Sequence, residues 1–365
     1  MRAAIRWLVI SVIASVAVVM SNGNGISAAD LTRVYVGSYS GDTVTVIDIG
    51  TLKVVAAIKV GQDVHGICAA ADERKIFVTV EATKMLVVID TATNKIVDTI
   101  PLTGIPNQCA VTPDGHYLAV PVHDLDRTGV VDVVKGSAGH ILVHDPGAVD
   151  IVDIPRREIV QVLPMSGPHN CFTAGNNDDM YCESRIENTI SRIDLKRLEY
   201  DRVIPTSGDP RPFAISKDEK KMYVALSQLH GFEIINLSGN RAIQRVELPP
   251  GPPPPSGPCE DTPTHGLALT PDGKELWVTS IYDSGVYVYD IASTKVSKMI
   301  PTGGCPNWIA FSADGKYTAV SGDPTSDVSI IDTKARKEIA RILLTKELGK
   351  RPKRVLVVSV PAASE

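Results

Sequence analysis

Two short patterns alternate along almost the whole chain, and each is typical of a β-hairpin. The first is a tight turn between apolar strands, as in AVTPDGHYLAV, ALTPDGKELWV and AFSADGKYTAV, with weaker copies such as AISKDEKKMYV. The second is a strand, an Asp or Asn turn and another strand. It occurs seven times, with its turn residue at Asp48, Asp90, Asp153, Asp194, Asn236, Asp290 and Asp332. One copy of each pattern makes a four-stranded unit.

The two ends of the chain complete this count. The first pattern is complete only six times, but LTRVYVGSYSG supplies one of its strands near the N-terminus and KRPKRVLVVSV supplies the other near the C-terminus. Joining the two half-copies makes a seventh unit and removes the exposed sheet edges of an open array. The sequence therefore predicts an all-β fold, a seven-bladed β-propeller whose ring is closed by the terminal strands. We expect one domain over residues 30–365.

Residues 1–29 have the pattern of a secretory signal peptide. Arg2 and Arg6 precede an apolar run over residues 7–20, and Ser27-Ala28-Ala29 resembles a cleavage site. The run is shorter than the roughly 20 residues of a membrane span, although an uncleaved anchor is the alternative interpretation. We expect a periplasmic or secreted protein with no membrane span in the mature chain.

Six cysteines in an exported chain allow up to three disulfides. Spacing alone does not fix their connectivity, but three pairings place the partners on facing strands or loops: Cys68 with Cys109, Cys171 with Cys182, and Cys259 with Cys305. The chain lacks a C-x-x-C-H sequence, so no covalently attached haem is expected.

One polar position recurs at the start of the first strand of every unit, six residues before the tight turn. It is occupied in turn by His65, Asn107, His169, Arg211, His265, Asn307 and Lys353, which we call the ring residues. A spacing of 42 residues recurs three times and matches the ~40–45 residues of a propeller blade. The longer spacings imply insertions within residues 122–140 and 247–263.

The ring residues and both insertions should lie on the same face, around the mouth of the central channel. In an antiparallel blade, the connection from the previous blade and the connection between the second and third strands emerge from the same end of the strands. We call this region the funnel mouth. Long loops over a ring of polar residues are typical of a binding site, so we expect a small-molecule or anionic ligand, or a partner protein, to bind there.

Three of the ring residues are histidines, from the second, fourth and sixth blades. Converging imidazoles of His65, His169 and His265 would suit Cu, Zn or Fe. Three residues that end the second strands of neighbouring blades could add a ligand or orient one: Glu81, His123 and Glu183.

The other ring residues favour an anion. Arg211 and Lys353 would contribute positive charge, and Asn107 and Asn307 would contribute uncharged hydrogen bonds. A simpler interpretation is also open, in which the histidines only bond to carbonyl groups of neighbouring loops and water fills the funnel mouth.

The strand sequences YVGS, FVTV, WVTS and YVAL, with TPDG turns and VIDT strands, resemble the YVTN β-propeller repeat family. The resemblance covers nearly all of the chain after the leader and implies the same fold. Relatives in this superfamily include surface-layer repeat proteins, lactonases and the haem-binding propeller of a periplasmic nitrite reductase. The resemblance therefore leaves the activity undecided.

Three functions are compatible with these observations: an exported metalloenzyme using the three histidines, a metal-free binding module, and a lactonase-like hydrolase with Glu81 or Glu183 as its base. Nucleic-acid binding is not expected. Removing Arg2 and Arg6 takes the formal net charge from −5 to −7, and aromatic residues are only 5% of the chain.

Overall fold

The computed structural model describes residues 31–70, 72–124, 134–135, 141–142, 146–173, 175–250, 259, 262–323, 325–345 and 351–360. The predicted signal peptide and most of both insertions lie outside these residues. The described residues form 32 strands and no helix, so they contain no helix that could cross a membrane.

The strands form seven antiparallel blades around a central channel, which confirms the predicted propeller. Blade 1 joins both ends of the chain and contains β1 (Leu31–Ser38), β2 (Thr43–Asp48), β3 (Lys53–Lys59) and, innermost, β32 (Pro352–Val360). Blade 2, from the channel outwards, contains β4 (Val64–Ala69), β5 (Lys75–Val80), β6 (Met85–Asp90) and β7 (Lys95–Pro101). Blade 3 contains the interrupted inner strand β8 (Ile105–Pro106) and β9 (Ala110–Val111), then β10 (Tyr117–His123), β13 (Pro146–Asp153) and β14 (Glu158–Ser166).

Blades 4 to 7 follow the same order. Blade 4 contains β15 (Pro168–Thr173), β16 (Asp179–Ser184), β17 (Thr189–Asp194) and β18 (Glu199–Pro205). Blade 5 contains β19 (Pro210–Ile215), β20 (Lys221–Leu226), β21 (Gly231–Asn236) and β22 (Arg241–Glu247). Blade 6 contains β23 (Leu267–Leu269), β24 (Glu275–Ser280), β25 (Gly285–Asp290) and the interrupted outer strand β26 (Lys295–Val296) and β27 (Ile300–Pro301). Blade 7 contains β28 (Pro306–Phe311), β29 (Tyr317–Gly322), β30 (Asp327–Asp332) and β31 (Lys337–Leu343).

The ring closes as the sequence predicts. Strand β1 pairs with β2 on one side and with the C-terminal strand β32 on the other, from Leu31 opposite Val360 to Ser38 opposite Pro352. Blade 1 therefore hydrogen-bonds the two ends of the described chain to each other and closes the ring.

Burial explains why the blades form. The second strands of the blades are almost continuously buried, as in β5, because neighbouring blades cover both of their faces. The outermost strands alternate between exposed and covered residues, as in β3, because only one face is covered. Apolar clusters between successive blades include the fully buried Trp277 and Phe232. Each such side chain contributes roughly 1.5–3 kcal/mol by leaving water.

The predicted Asx turns are confirmed in the outer hairpins. Asp48 accepts a hydrogen bond from the backbone N–H of Thr51 at 2.7 Å, and Asp90 accepts one from that of Thr93 at 2.8 Å. The residue four positions after each turn residue takes a positive φ, as at Asn94 (φ 54°). This conformation reverses the chain within a few residues.

All three cysteine pairings of the sequence analysis are present as disulfides, Cys68–Cys109, Cys171–Cys182 and Cys259–Cys305. Both insertions begin slightly later than predicted because the preceding strands continue into them. β10 ends at His123 and β22 ends at Glu247. The connection between β10 and β13 contains one further strand pair, β11 (Val134–Lys135) with β12 (Ile141–Leu142).

Candidate functional site

The ring residues lie at one end of the inner strands, as predicted, but they form a buried layer. Their exposed fractions are 8% or less at His65, Asn107, Arg211, His265, Asn307 and Lys353. Only His169 is partly open, with 12% of its side chain exposed. Neighbouring inner strands and loops therefore cover most of these side chains.

Two histidines of the ring are each bonded to a glutamate. Nδ1 of His65 forms a short contact with Oε1 of Glu81, which follows β5 directly. Nδ1 of His169 lies 2.8 Å from Oε1 of Glu183 in β16, and the Asn170 side-chain amide donates to the same oxygen at 2.6 Å. We call these two pairs the carboxyl–imidazole dyads.

The two dyads face each other although they come from blades 2 and 4. The imidazole rings of His65 and His169 lie 6.3 Å apart between centroids, nearly perpendicular. Nε2 of His65 and Oε2 of Glu183 are buried and have no hydrogen-bond partner among the described residues. Unpaired buried polar atoms are costly, so both atoms point to a missing partner such as a ligand or water.

Burial holds both dyads close to neutrality. It lowers the pKa of His65 well below its ordinary value, and the positive charges of Lys353 and Arg354 lower it further. Burial also lowers the pKa of His169 well below its ordinary value, and among the neighbouring charges Arg211 lowers it most. Burial also raises the pKa of Glu81 to about 7 and that of Glu183 to about 8. Each dyad is therefore neutral or shares one proton near pH 7.

The third ring histidine has a different partner. Nδ1 of His265 lies 3.1 Å from the backbone carbonyl oxygen of Asn307 on blade 7. In blade 2 the equivalent carbonyl, that of Asn107, accepts a hydrogen bond from the Thr79 hydroxyl at 2.7 Å instead. The carbonyl-bonding interpretation of the sequence analysis thus holds for His265 and does not hold for His65 or His169.

Glycine follows the histidine in blades 2 and 6 because the next blade approaches closely there. A Cβ on Gly66 would lie 2.7 Å from the carbonyl oxygen of Asn107, and one on Gly266 would lie 2.6 Å from that of Asn307. Blade 4 has Asn170 at this position, and its amide reaches Glu183 instead.

A second polar layer below the ring was missed by the sequence analysis. Arg354 is fully buried; its Nε donates to Gln108 at 3.2 Å and its Nη2 to Asn170 at 3.3 Å. Its guanidinium carbon lies 3.9 Å from the ring centre of Trp308, a cation–π contact. These residues each follow a ring residue directly, so the alignment that found the ring could have found them. Together they fill the channel beneath the dyads.

The two predicted cations of the ring are engaged with the protein. Lys353 Nζ lies 4.2 Å from the ring centre of Tyr39. Nε of Arg211 donates to the Ser227 hydroxyl at 2.8 Å, and that hydroxyl donates to Asp209 at 2.6 Å. Arg185, which the sequence analysis did not single out, completes this chain through a bidentate pair with Asp209.

A cavity of about 410 Å³ opens beside His169 at the funnel mouth. We call it the inter-blade cavity, because blades 3 and 4 and the loop entering blade 5 form its walls. The described residues that line it are Asn107, His123, Gly167, Pro168, His169, Arg185, Ile186 and Asp209. The predicted site residues Asn107 and His123 therefore meet His169 here, whereas Asn307 lies fully buried on blade 7.

Within the described ranges, no group of three or more His, Cys, Asp and Glu side chains is placed to hold a metal ion. The structure brings two of the predicted ligands together, His65 and His169. Electrostatic interaction with His265 also lowers the pKa of His65, so the third imidazole lies within electrostatic range of the pair.

Comparison with protein families and curated sequences gives one partial relative. No family model matches the chain. Antigen Lp49 of Leptospira interrogans is 32% identical over 151 residues, which are 40% of this chain and 30% of that antigen. The matched region thus spans less than a third of the length of that relative.

Solved structures share the fold. A protein of unknown function from Desulfotomaculum acetoxidans superimposes with a TM-score of 0.70 at 14% identity, covering 90% of this chain and 99% of its own. Hydrazine synthase from Kuenenia stuttgartiensis superimposes with a TM-score of 0.62 at 18% identity, covering 82% of this chain and 96% of that chain. The dihydro-heme d1 dehydrogenase NirN, in complex with DHE, gives 0.59 at 17% identity, covering 86% of this chain and 64% of that chain. At these identities the similarity shows a propeller fold alone.

Proposed function

We propose that this chain is an exported YVTN-type β-propeller whose funnel mouth binds a transition-metal ion through His65 and His169. The observation that carries the proposal is the pair of facing dyads, each with Nδ1 bonded to a carboxyl oxygen. Metal-binding histidines almost always have their other ring nitrogen bonded to a carboxylate or backbone carbonyl. His265, whose Nδ1 meets a carbonyl oxygen, is the proposed third ligand.

The chemistry of these side chains fits Cu, Zn or Fe. Neutral imidazoles are the ligand form, and burial keeps both His65 and His169 neutral. When bound, such an ion would act as a Lewis acid or lower the pKa of a bound water. For Nε2 to act as ligand, Nδ1 must carry the proton and donate it towards Glu81 or Glu183. We therefore expect metal binding to release the proton that each raised carboxyl pKa retains.

Export is supported by two observations. Residues 1–29 match a secretory signal, and three disulfides are typical of chains that fold in an oxidising compartment. A periplasmic or secreted location also exposes the site to metal ions and ligands outside the cytosol.

The test is metal content of the mature protein purified without chelators. We expect about one equivalent in wild type and in the control His116→Ala, whose imidazole is half exposed on the opposite face. His65→Ala and His169→Ala should lose the metal. Loss of the metal from the His265→Ala variant would establish His265 as the third ligand. A wild-type protein that stays metal-free after reconstitution with Cu, Zn and Fe contradicts the proposal.

The lactonase-like alternative makes a different prediction. A hydrolase that uses Glu81 or Glu183 as base would remain active after chelation and would fail in Glu81→Gln or Glu183→Gln. Turnover of a lactone panel by chelator-treated protein, beside these two variants, separates it from a metal-dependent function.

A further inference from the structure

We propose that the inter-blade cavity binds a small organic carboxylate, a carboxylate group on a short apolar body, with Arg185 as its anchor. This site is additional to the metal site and does not need a bound metal. The proposal combines a cavity of suitable size, an immobilised guanidinium and an exposed apolar residue in the same wall.

The size of the cavity suits a small molecule. Its volume of about 410 Å³ falls within the ~300–1,000 Å³ of small-molecule pockets. It opens at the funnel mouth, and the most accessible ring imidazole, that of His169, lines it. A ligand bound there would meet the open side of a dyad.

The cation of this cavity is held in a fixed orientation. Nε and Nη2 of Arg185 donate to the two carboxylate oxygens of Asp209 at 2.9 and 2.6 Å. The Ser227 hydroxyl donates to Asp209 and in turn accepts a hydrogen bond from Arg211. A guanidinium fixed in this way loses little freedom when it binds a carboxylate, and 35% of the Arg185 side chain remains accessible.

The charge balance favours an anion. Three guanidinium groups act electrostatically on His169, those of Arg185, Arg211 and Arg354. The ionised carboxylate among the lining residues is that of Asp209. The surroundings of the cavity thus carry a positive excess although the whole chain is acidic.

Part of this wall is apolar, which favours an organic anion over an inorganic one. Ile186 is 47% exposed and lines the cavity beside Pro168. Its side chain lies over Gly167, where a Cβ would come within 2.7 Å of Ile186 Cγ1. An apolar ligand body resting on Ile186 would leave its carboxylate next to Arg185, His123 and Asn107.

The first test measures binding of hexanoate, hexylamine and inorganic phosphate to chelator-treated protein by calorimetry and NMR titration. We expect hexanoate to bind and both other probes to bind at least about tenfold more weakly, because one has the wrong charge and the other lacks an apolar body. Equal binding of hexylamine overturns the charge assignment. Equal binding of phosphate overturns the organic class of ligand.

The second test uses two variants that act by different means. Arg185→Gln removes the anchor, and Ile186→Glu places a negative charge at an exposed position without touching the Arg185–Asp209 pair. Both should weaken hexanoate binding at least about tenfold. The matched control is Arg192→Gln, which removes another Arg–Asp pair of blade 4, with Asp201, outside the cavity. It should bind hexanoate like wild type.

Failure of this proposal and failure of the metal proposal are distinguishable. His65→Ala removes a proposed metal ligand that does not line the cavity, so hexanoate binding should survive in it. The carboxylate site is overturned if Arg185→Gln and Ile186→Glu both bind hexanoate with wild-type affinity. It is also overturned if folded wild type binds no hexanoate. Neither result depends on the metal content.

Discussion

The funnel mouth has two halves that use the same ring position differently. On blades 2 and 4, His65 and His169 bond to glutamates and face each other, and the buried Nε2 of His65 has no partner among the described residues. On blade 6, His265 is almost wholly buried and bonds to the carbonyl of Asn307 on blade 7. Identical residues at equivalent positions thus have different Nδ1 partners, a carboxyl group in one half and a carbonyl group of the next blade in the other.

The partner of each histidine is decided by the second strand of its blade. Strand register places Thr79, Glu183 and Thr279 at the same position, one residue beyond Val78, Cys182 and Val278. In blade 2 the Thr79 hydroxyl satisfies the neighbouring carbonyl, which leaves His65 available to Glu81. In blade 6 the Thr279 hydroxyl bonds within its own blade, to Gly266, so His265 takes the carbonyl.

The largest expected effect concerns the residue that joins the two halves. Arg354 donates to Gln108 and Asn170 and stacks on Trp308 of blade 7. Arg354→Met should lower the free energy of unfolding by about 2–5 kcal/mol, because two buried amide oxygens lose a charged donor. Urea unfolding measures this loss.

The control for this variant is Arg341→Met, which breaks the surface pair with Glu338. It should cost no more than about 1 kcal/mol. A loss of similar size in both variants would show that Arg354 fills the channel without connecting the halves.

The next effect separates the dyads from the carbonyl-bonded histidine. Glu183→Gln should weaken metal binding about 10- to 100-fold, because the amide no longer holds the His169 imidazole as the carboxylate does. Competition with a chromogenic chelator measures the affinity. Thr279→Val changes the equivalent position of blade 6 and should keep the metal affinity within about threefold of wild type. Equal losses in the two variants would contradict the division of the funnel mouth into unlike halves.

Much of the fold was predictable because its information is local and repeated. Seven Asx turns, alternating apolar strands and two terminal half-copies define the blades without reference to any tertiary contact. The register that follows from them is enough to place the ring residues and to pair Cys171 with Cys182. Each of these inferences depends on strand alternation and turn chemistry alone.

The chemistry of the site was less predictable because it depends on competition between partners. Whether a histidine bonds to a carbonyl or a carboxylate is decided by which other donor reaches that carbonyl first, and Thr79 decides it in blade 2. The entry of Arg354 into the channel depends on side chains from blades 3, 4 and 7 at once. The replacement of a recurring Thr by Glu183 was the sequence signal for the second dyad.

A smaller effect is expected in the pH dependence of stability of metal-free protein. Glu183 has a higher pKa when folded, about 8, than its ordinary 4.5, so its contribution is complete at low pH and is lost as pH rises through about 8. The lowered pKa values of His65 and His169 make stability rise with pH instead, but only up to about pH 6.5, the ordinary pKa of histidine.

Between pH 6.5 and 8 the carboxyl effect should therefore dominate, and the free energy of unfolding should fall by at most about 1.4 kcal/mol per pH unit for Glu183. Urea unfolding across this range should give a shallower slope for Glu183→Gln than for wild type. His265→Asn should keep the wild-type slope. An unchanged slope in Glu183→Gln would show that the buried carboxyl is already ionised.

The smallest expected effect compares the two threonines that occupy equivalent positions. Thr79→Val removes the hydroxyl partner of two buried groups, the N–H of Gly66 and the carbonyl of Asn107. Thr279→Val leaves only the N–H of Gly266 unpaired, because the carbonyl of Gly266 keeps the backbone N–H of Thr279 as its donor. We expect Thr79→Val to cost about 1 kcal/mol more in urea unfolding. It should also shift the NMR signals of His65, because the imidazole can then reach the abandoned carbonyl. Equal costs with an unmoved His65 would mean that Glu81 alone orients this histidine, and that the threonine contributes nothing to the difference between the halves.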